Sequence, residues 1–351
     1  MMQSWSIRKF EDADEAAVIN LQALAFNELT DLDYWVWKYK ENPVGSMRYV
    51  AEDKREGIVG HYGLLFQKIK IGDKIVTGSQ AVDAMTHPNF QRQGMFVKLG
   101  KEILHRAGNE GIFFTFGFPN EAALPGHKKV GWVEICEVPI LLKPLNIASI
   151  FGKRVKNTHL LKIGSNIARV PLRLVRQGKK TQLERLSVKS VTCFDERINE
   201  FWSKVAPSYT IIQVRDKDFL NWRYVTNPHN QYTILIAEEN ETIVGYAVLG
   251  EMTVYGIRGG AIVDILTYSD QGQISEFLIS RAIEQFQKKD MGYVGCMMQR
   301  GSMYYGALKR HGFIVTPGKV RFILHLNSDR FSMPAEVFDK WFLTWGDSDF
   351  V

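Results

Sequence analysis

Met85-Thr86-His87-Pro88-Asn89-Phe90-Gln91-Arg92-Gln93-Gly94-Met95-Phe96 is the stretch whose reading decides the fold. Before it, Ile75 to Ala84 is rich in β-branched residues and reads as a strand. After it, Val97, Leu99, Ile103, Leu104 and Ala107 recur at helical spacing. A strand therefore enters a short polar loop with a glycine, and a helix follows at once. Such a loop turns successive backbone N–H groups toward one point, where the positive end of the helix dipole adds to them. The product is an anion site suited to a phosphate or pyrophosphate. Arg92 adds a charge-assisted contact. One glycine before a helix also fits a helix start that meets only water, so the rest of the chain must decide.

Working outward, Trp5 to Phe10 alternates as a strand. Asp12 and Glu15 have the spacing of a capping box, and a helix follows to about Phe26. A second helix, about Leu32 to Lys40, carries Tyr34, Trp35, Trp37 and Tyr39, and Asn42-Pro43 ends it. Met47–Glu52 and Ile58–Ile71 read as strands, with Gly72-Asp73-Lys74 as the hairpin turn into the strand before the loop. Gly111 closes the helix after the loop. Ile112–Phe116 is a buried strand. Gly117-Phe118-Pro119-Asn120 leads into a short helix ending Lys129-Val130-Gly131-Trp132, and a last strand runs to about Leu142.

This βααβββαβαβ order, with Gln91-x-x-Gly94-x-Phe96 between strand and helix, resembles the GNAT superfamily of acyl-CoA N-acyltransferases. The family loop is Gln/Arg-x-x-Gly-x-Gly/Ala, so Phe96 departs at the last position. Asn120 and Lys129-x-Gly131-Trp132 also match. The resemblance covers residues 3–142 and implies an α/β fold with a mixed sheet. It also implies acetyl-CoA as co-substrate and no metal. The pyrophosphate is then expected on Gln91, Arg92, Gln93, Gly94, Met95 and Phe96, the thioester on the backbone of Ala84, Met85 and Thr86, and the pantetheine arm at Asn120.

The second half echoes the first. Asp31-x-Asp33-Tyr34-x-x-Trp37-Lys38-Tyr39-x-x-Asn42-Pro43 recurs as Asp216-x-Asp218-Phe219-x-x-Trp222-Arg223-Tyr224-x-x-Asn227-Pro228. Ile58-Val59-Gly60 recurs in the same register as Ile243-Val244-Gly245. After one shift of register Val82-Asp83 matches Val263-Asp264, and Gly131-Trp132 matches Gly312-Phe313. The expected organisation is two tandem GNAT-like domains joined by a basic helical connector. Residues 1–142 hold the intact loop, 143–200 are the connector, 201–328 a degenerate copy, and 329–351 an aromatic and acidic tail. In the second copy the loop becomes Ser269-Asp270-Gln271-Gly272, where a carboxylate replaces the arginine and repels a pyrophosphate.

The chain has 351 residues and a formal charge of +6. Between Lys143 and Lys189 lie twelve basic residues and a single acid, Glu184. Amphipathic helices broken at Pro171 are expected there. Three readings stay open: a solvated linker packed across both copies, attraction to an anionic membrane surface, or attraction to an acidic substrate. No nucleic-acid module accompanies the charge, so no nucleic-acid partner is expected. Cys136, Cys193 and Cys296 show no metal or redox spacing and read as packing residues in a reducing compartment. The opening residues lack an apolar signal segment and no run reaches transmembrane length, so a cytoplasmic protein is expected.

Acyl transfer to an amine needs a base for the ammonium, stabilisation of the oxyanion and a departing thiolate. Asp83 lies on the strand that would hold the thioester, as a base or as a structural aspartate, because Asp264 repeats it. The resemblance puts His127 where many relatives carry an acidic tyrosine; a surface histidine is the alternative. It also suggests a base from the tail, with Asp347, Asp349 and the carboxylate of Val351 as candidates. The alternative for the tail is pairing with a sheet edge. The expected activity is direct acetyl transfer to a primary amine, with an amino sugar or nucleotide sugar of surface polysaccharide synthesis as the acceptor and an aminoglycoside-like or protein amine left open. A Fem-type aminoacyl-tRNA-dependent peptidyltransferase and a non-catalytic acyl-CoA sensor are the alternatives.

Overall fold

In chain order the first half forms β1 (Trp5–Lys9), α1 (Glu15–Phe26), α2 (Leu32–Tyr39), β2 (Ser46–Asp53), β3 (Gly57–Ile71), β4 (Lys74–Thr86), α3 (Met95–Asn109), β5 (Phe114–Gly117), α4 (Leu124–Val130) and β6 (Val133–Pro144). This is the expected order. The structure, a computed structural model, describes residues 4–27, 30–146, 186–254, 256–268, 272–328 and 335–349. Most of the connector, its expected helices, the loop residues Ser269–Gln271 and Val351 lie outside the described residues.

The second half follows with β7 (Leu186–Val191), α5 (Arg197–Val205), β8 (Ile211–Gln213), α6 (Lys217–Tyr224), β9 (Thr233–Glu239), β10 (Thr242–Val254) and β11 (Ile257–Thr267). Next come α7 (Gly272–Lys288), β12 (Tyr293–Met297), α8 (Met303–Arg310), β13 (Ile314–Leu326), α9 (Ala335–Phe338) and β14 (Trp341–Phe342). No helix among the described residues is long and apolar enough to cross a membrane.

One mixed sheet runs through both halves in the order β1-β2-β3-β4-β5-β13-β6-β12-β11-β10-β9-β7. The sheet does not divide at residue 142. β13 of the second half lies between β5 and β6 of the first, and β6 pairs in turn with β12. Each half thus completes its sheet with the other half's last strand.

The repeated motifs have local causes. Asp31 and Asp216 cap α2 and α6, accepting from the amides of Tyr34 and Phe219. Asn42 and Asn227 accept from Val44 and His229 in the turns that follow. A side chain at Gly60 would strike Met95 and Leu99 of α3, and one at Gly245 would strike Thr267 and crowd Ile274 of α7. The glycine of the Ile-Val-Gly repeat therefore leaves room for the long helix over the sheet in each half.

Of the α3 face expected from sequence, Leu99, Ile103, Leu104 and Ala107 are buried and Val97 is half-buried, while Met95 is buried as well. Two local readings are corrected. The capping box forms one residue earlier, between Glu11 and Asp14, on a 3-10 turn that precedes α1. Cys193 is exposed, because it lies beyond the end of β7 rather than in the core.

Candidate active site

β4 and β5 run parallel but pair only at Ser79 with Thr115 and Gln80 with Phe116. Beyond this point β4 continues to Thr86, while β5 ends at Gly117. The strands part, and between them opens a cavity of about 540 Å³. Its walls include Ala81–Ala84, Gly117–Asn120, His127, Tyr34 and Lys38 from the first half, together with His229 and Asp349 from the second.

A β-bulge shapes one wall. Val82 faces Gly63 and Met85 faces His61, so Asp83 and Ala84 together oppose Tyr62. Asp83 has φ +48°. The Nδ1–H of His61 donates to the Asp83 carbonyl at 2.8 Å, which fixes the tautomer and holds the bulge from behind. Burial lowers the His61 pKa to about 4, so this imidazole is neutral.

At the end of β4, His87 caps a 3-10 turn over Pro88–Phe90, its Nδ1 accepting from the Asn89 amide at 3.2 Å. The exposed loop Gln91–Gly94 follows, with Arg92 at φ +61° and Gly94 at φ +80°. These left-handed residues turn the loop amides before α3 starts at Met95. Arg92 has no hydrogen-bond or ion-pair partner among the described residues. Phe96 fits the glycine at 126: a Cβ there would overlap its ring, and the same ring lies 5.0 Å from His127. Its bulk is taken up by α4.

Asp83 is heavily engaged. Its carboxylate receives Lys38 Nζ at 2.9–3.0 Å and the Tyr39 hydroxyl at 2.5 Å. Burial opposes ionisation, yet the adjacent Lys38 ammonium outweighs it and holds the Asp83 pKa below the usual carboxylate range. Burial likewise opposes the Lys38 charge, and Asp83 overcomes it, so Lys38 stays protonated.

Asp349 reaches the same cavity from the tail. Its Oδ2 lies 3.7 Å from Lys38 Nζ, and its Oδ1 is 3.5 Å from Gln80 Nε2. The side chain remains 29% exposed. Desolvation by the cleft walls raises its pKa above the carboxylate norm, against the pull of Lys38. Asp347, by contrast, is buried against Arg215 at 2.9 Å and does not line the cavity. The tail also pairs as a strand, β14 lying parallel to β8.

His127 is buried rather than on the surface. Its Nδ1 lies 3.4 Å from the Tyr62 hydroxyl, and Trp132 and Phe96 pack edge-on to its ring. Burial lowers its pKa to about 4, so it is neutral near pH 7. Asn120 lies at the end of β5, its Oδ1 accepting from the Ala123 amide at 2.9 Å. Lys38, Tyr39 and His61 are absent from the expected site, although Lys38 and Tyr39 stand inside the repeated motif.

Among the described residues no three His, Cys, Asp or Glu side chains are grouped as a metal would need. Residues 6–135 match a family described as an acetyltransferase (GNAT) domain. No curated protein sequence matches the chain. A GCN5-related N-acetyltransferase from Anabaena variabilis aligns over 92% of this chain and 73% of its own, with 12% identity and a TM-score of 0.65. The N-myristoyltransferase of Saccharomyces cerevisiae with bound myristoyl-CoA aligns over 93% and 83%, with 13% identity and a TM-score of 0.59. A probable N-acyltransferase from Enterococcus faecalis aligns over 92% and 73%, with 11% identity and a TM-score of 0.62.

Proposed function

We propose that this chain, whose residues 6–135 match an acetyltransferase (GNAT) domain, is an acyl-CoA N-acyltransferase that acetylates a primary amine in the β4–β5 cleft by direct transfer. The observation that carries the reading is the conjunction of an exposed anion loop at Arg92–Gly94 with a cleft that holds one weakly engaged carboxylate, Asp349.

In this reading the pyrophosphate of acetyl-CoA lies on the loop amides and the α3 N-terminus, with Arg92 as counter-charge. Asn120 meets the pantetheine arm. A backbone N–H at the bulge, among Ala84, Met85 and Thr86, meets the thioester oxygen and stabilises the developing oxyanion. Asp349 takes a proton from the amine. The neutral nitrogen then attacks the thioester carbon, the C–N bond forms, the C–S bond breaks, and the second nitrogen proton passes to the departing thiolate to give the CoA thiol. His127, neutral, keeps its proton and offers only an N–H hydrogen bond to the sulfur. Asp83 is a holder of Lys38 in this scheme, not the base.

An acetyl group is supported by the buried polar groups where β4 and β5 are still paired, next to the cleft. There Ser79 and Thr115 hydrogen-bond at 2.8 Å, and Gln67 bonds Gln80 at 3.1 Å. A long alkyl chain entering between the strands would meet this buried polar layer. The amino-sugar acceptor rests on the basic residues 143–189, most of which lie outside the described residues. The anion loop speaks against the Fem-type alternative, whose donor is a tRNA ester.

Free-thiol release from acetyl-, octanoyl- and myristoyl-CoA, each with a panel of primary amines, tests the reading. Amine-dependent release with acetyl-CoA is expected, together with one calorimetric acetyl-CoA site per chain that Gly94→Asp abolishes. Binding without turnover on any amine would leave the sensor alternative. Binding that survives Gly94→Asp would remove the site from this loop.

A further inference from the structure

We propose that the second half is the seat of the tail: its own strand cleft is filled by Thr344–Ser348, and this filling fixes Asp349 in the cleft of the first half. The inference rests on the reading of Asp349 as the base.

The repeat sets the frame. Arg223, Tyr224, Tyr246 and Asp264 stand where Lys38, Tyr39, His61 and Asp83 stand in the first half. β11 and β12 correspond to β4 and β5, and they too run parallel, pairing from Gly259 to Ile262. In the first half the corresponding space is an open cavity. In the second it holds the 3-10 turn Trp345–Asp347.

The fit is close. Trp345 packs on Gly295 of β12, where a Cβ would lie 3.0 Å from its ring. Gly346 lies against Tyr224 and Asp264, and a Cβ on it would overlap the Tyr224 hydroxyl oxygen. Arg215 joins Asp264 at 3.1 Å to Asp347 at 2.9 Å, and the Thr344 hydroxyl donates to Asp264 at 3.1 Å. Tyr246 and Tyr224 donate to the same Asp264 carboxylate at 2.9 and 3.2 Å. These polar groups are buried and, apart from Asp347 Oδ1, bonded to one another, so the turn is held in one seating.

The last step crosses the pseudo-symmetry. Arg223 Nη2 donates to the Ser348 carbonyl at 2.8 Å, while its counterpart Lys38 faces the carboxylate of the next residue, Asp349, at 3.7 Å. Two cations related by the repeat hold two successive tail residues, one in each cleft. The second copy's strand cleft is therefore closed to a ligand, and the copy acts on the reaction by positioning Asp349.

The test compares Gly346→Ala with Gly346→Ala/Tyr224→Phe in the full chain. The added methyl has no space beside the tyrosine hydroxyl, and removing that oxygen restores it. Gly346→Ala is expected to lower kcat by about a hundredfold, the scale of a displaced catalytic group, with acetyl-CoA affinity unchanged. The double variant should recover most of the turnover. Amide exchange in residues 340–349 should rise in the single variant and fall again in the double. Should the single variant not fold, Arg223→Lys, which loses the reach to the Ser348 carbonyl, takes its place with the same readouts. Wild-type kcat in these variants, or a loss that the double variant does not repair, would overturn the seat. Asp349→Asn separates the two ideas. Full turnover there sinks the base assignment, whereas lost turnover there with none lost in Gly346→Ala sinks only the seat.

Discussion

Trp37 and Trp222 each donate the indole N–H to the other's backbone carbonyl, at 2.8 and 2.9 Å, with their rings stacked 5.2 Å apart. The pair is self-complementary, as at the two-fold axis of a dimer, but both residues belong to one chain. It joins α2 to α6 beside the cavity. Trp222→Phe keeps the stacking and removes one donor from a buried carbonyl, which costs about 1–3 kcal/mol. Thermal unfolding should move down as one transition for the whole chain. Two separate transitions would show that the halves melt independently.

Asp349 supplies the second expectation. The base acts when deprotonated, and its folded-state pKa lies above the carboxylate norm. The ratio kcat/KM should therefore rise with pH through a step displaced upward from ordinary aspartate. Asp349→Asn should lose this step and about a hundredfold or more in kcat, the usual scale for a positioned base. A step that persists in the variant belongs to another group.

Lys38 is the cation between two carboxylates, Asp83 and Asp349. Removing one partner from a buried ion pair costs about 3–5 kcal/mol, because the remaining charge is uncompensated. Lys38→Met should show a loss of this order in denaturant unfolding. The pH step assigned to Asp349 should also move further up, since the ammonium that lowers its pKa is gone. An unmoved step would mean that Lys38 and Asp349 do not interact in solution.

His61 and His127 set the acid limit of stability. Both titrate near 4 in the folded protein, and near 6.5 when unfolded. Between these values the unfolded chain binds protons that the folded one does not, so stability falls as pH falls from 6.5 toward 4. The loss approaches roughly 3 kcal/mol for each histidine at the lower end, at about 1.4 kcal/mol per pH unit. His127→Gln should flatten the decline of denaturant midpoint across this window. An equally steep decline in that variant would show that His127 is accessible to protons.

What is local in this protein is legible in its sequence. The α3 helix, the Gly72 turn and the repeat itself follow from periodicity and turn chemistry. His127 shows how a local signal can mislead. Lys128 and Lys129 beside it suggest a surface, but its spacing from Leu124 and Val130 puts it on the buried face of α4. The partners of Asp83 are not legible, because Lys38 and Tyr39 reach it from a helix distant in sequence. Asp347 and Asp349 look alike in an acidic tail. Only the seating of the turn between them sends one into a buried ion pair and the other into the cavity. The order of β5, β13 and β6 has no local signature either, since strand partners are chosen by tertiary packing.

The exchanged strands bear on how this chain is made. A ribosome releases β5 long before β13, yet Gly117 of β5 must pair with Ile323 of β13. Until then the first copy presents a bare apolar edge, the kind of surface that chaperones cover and aggregates grow from. Maturation must wait for the end of translation. The same exchange ties the two halves to one fate: neither could be deleted or replaced without leaving the other's sheet unfinished.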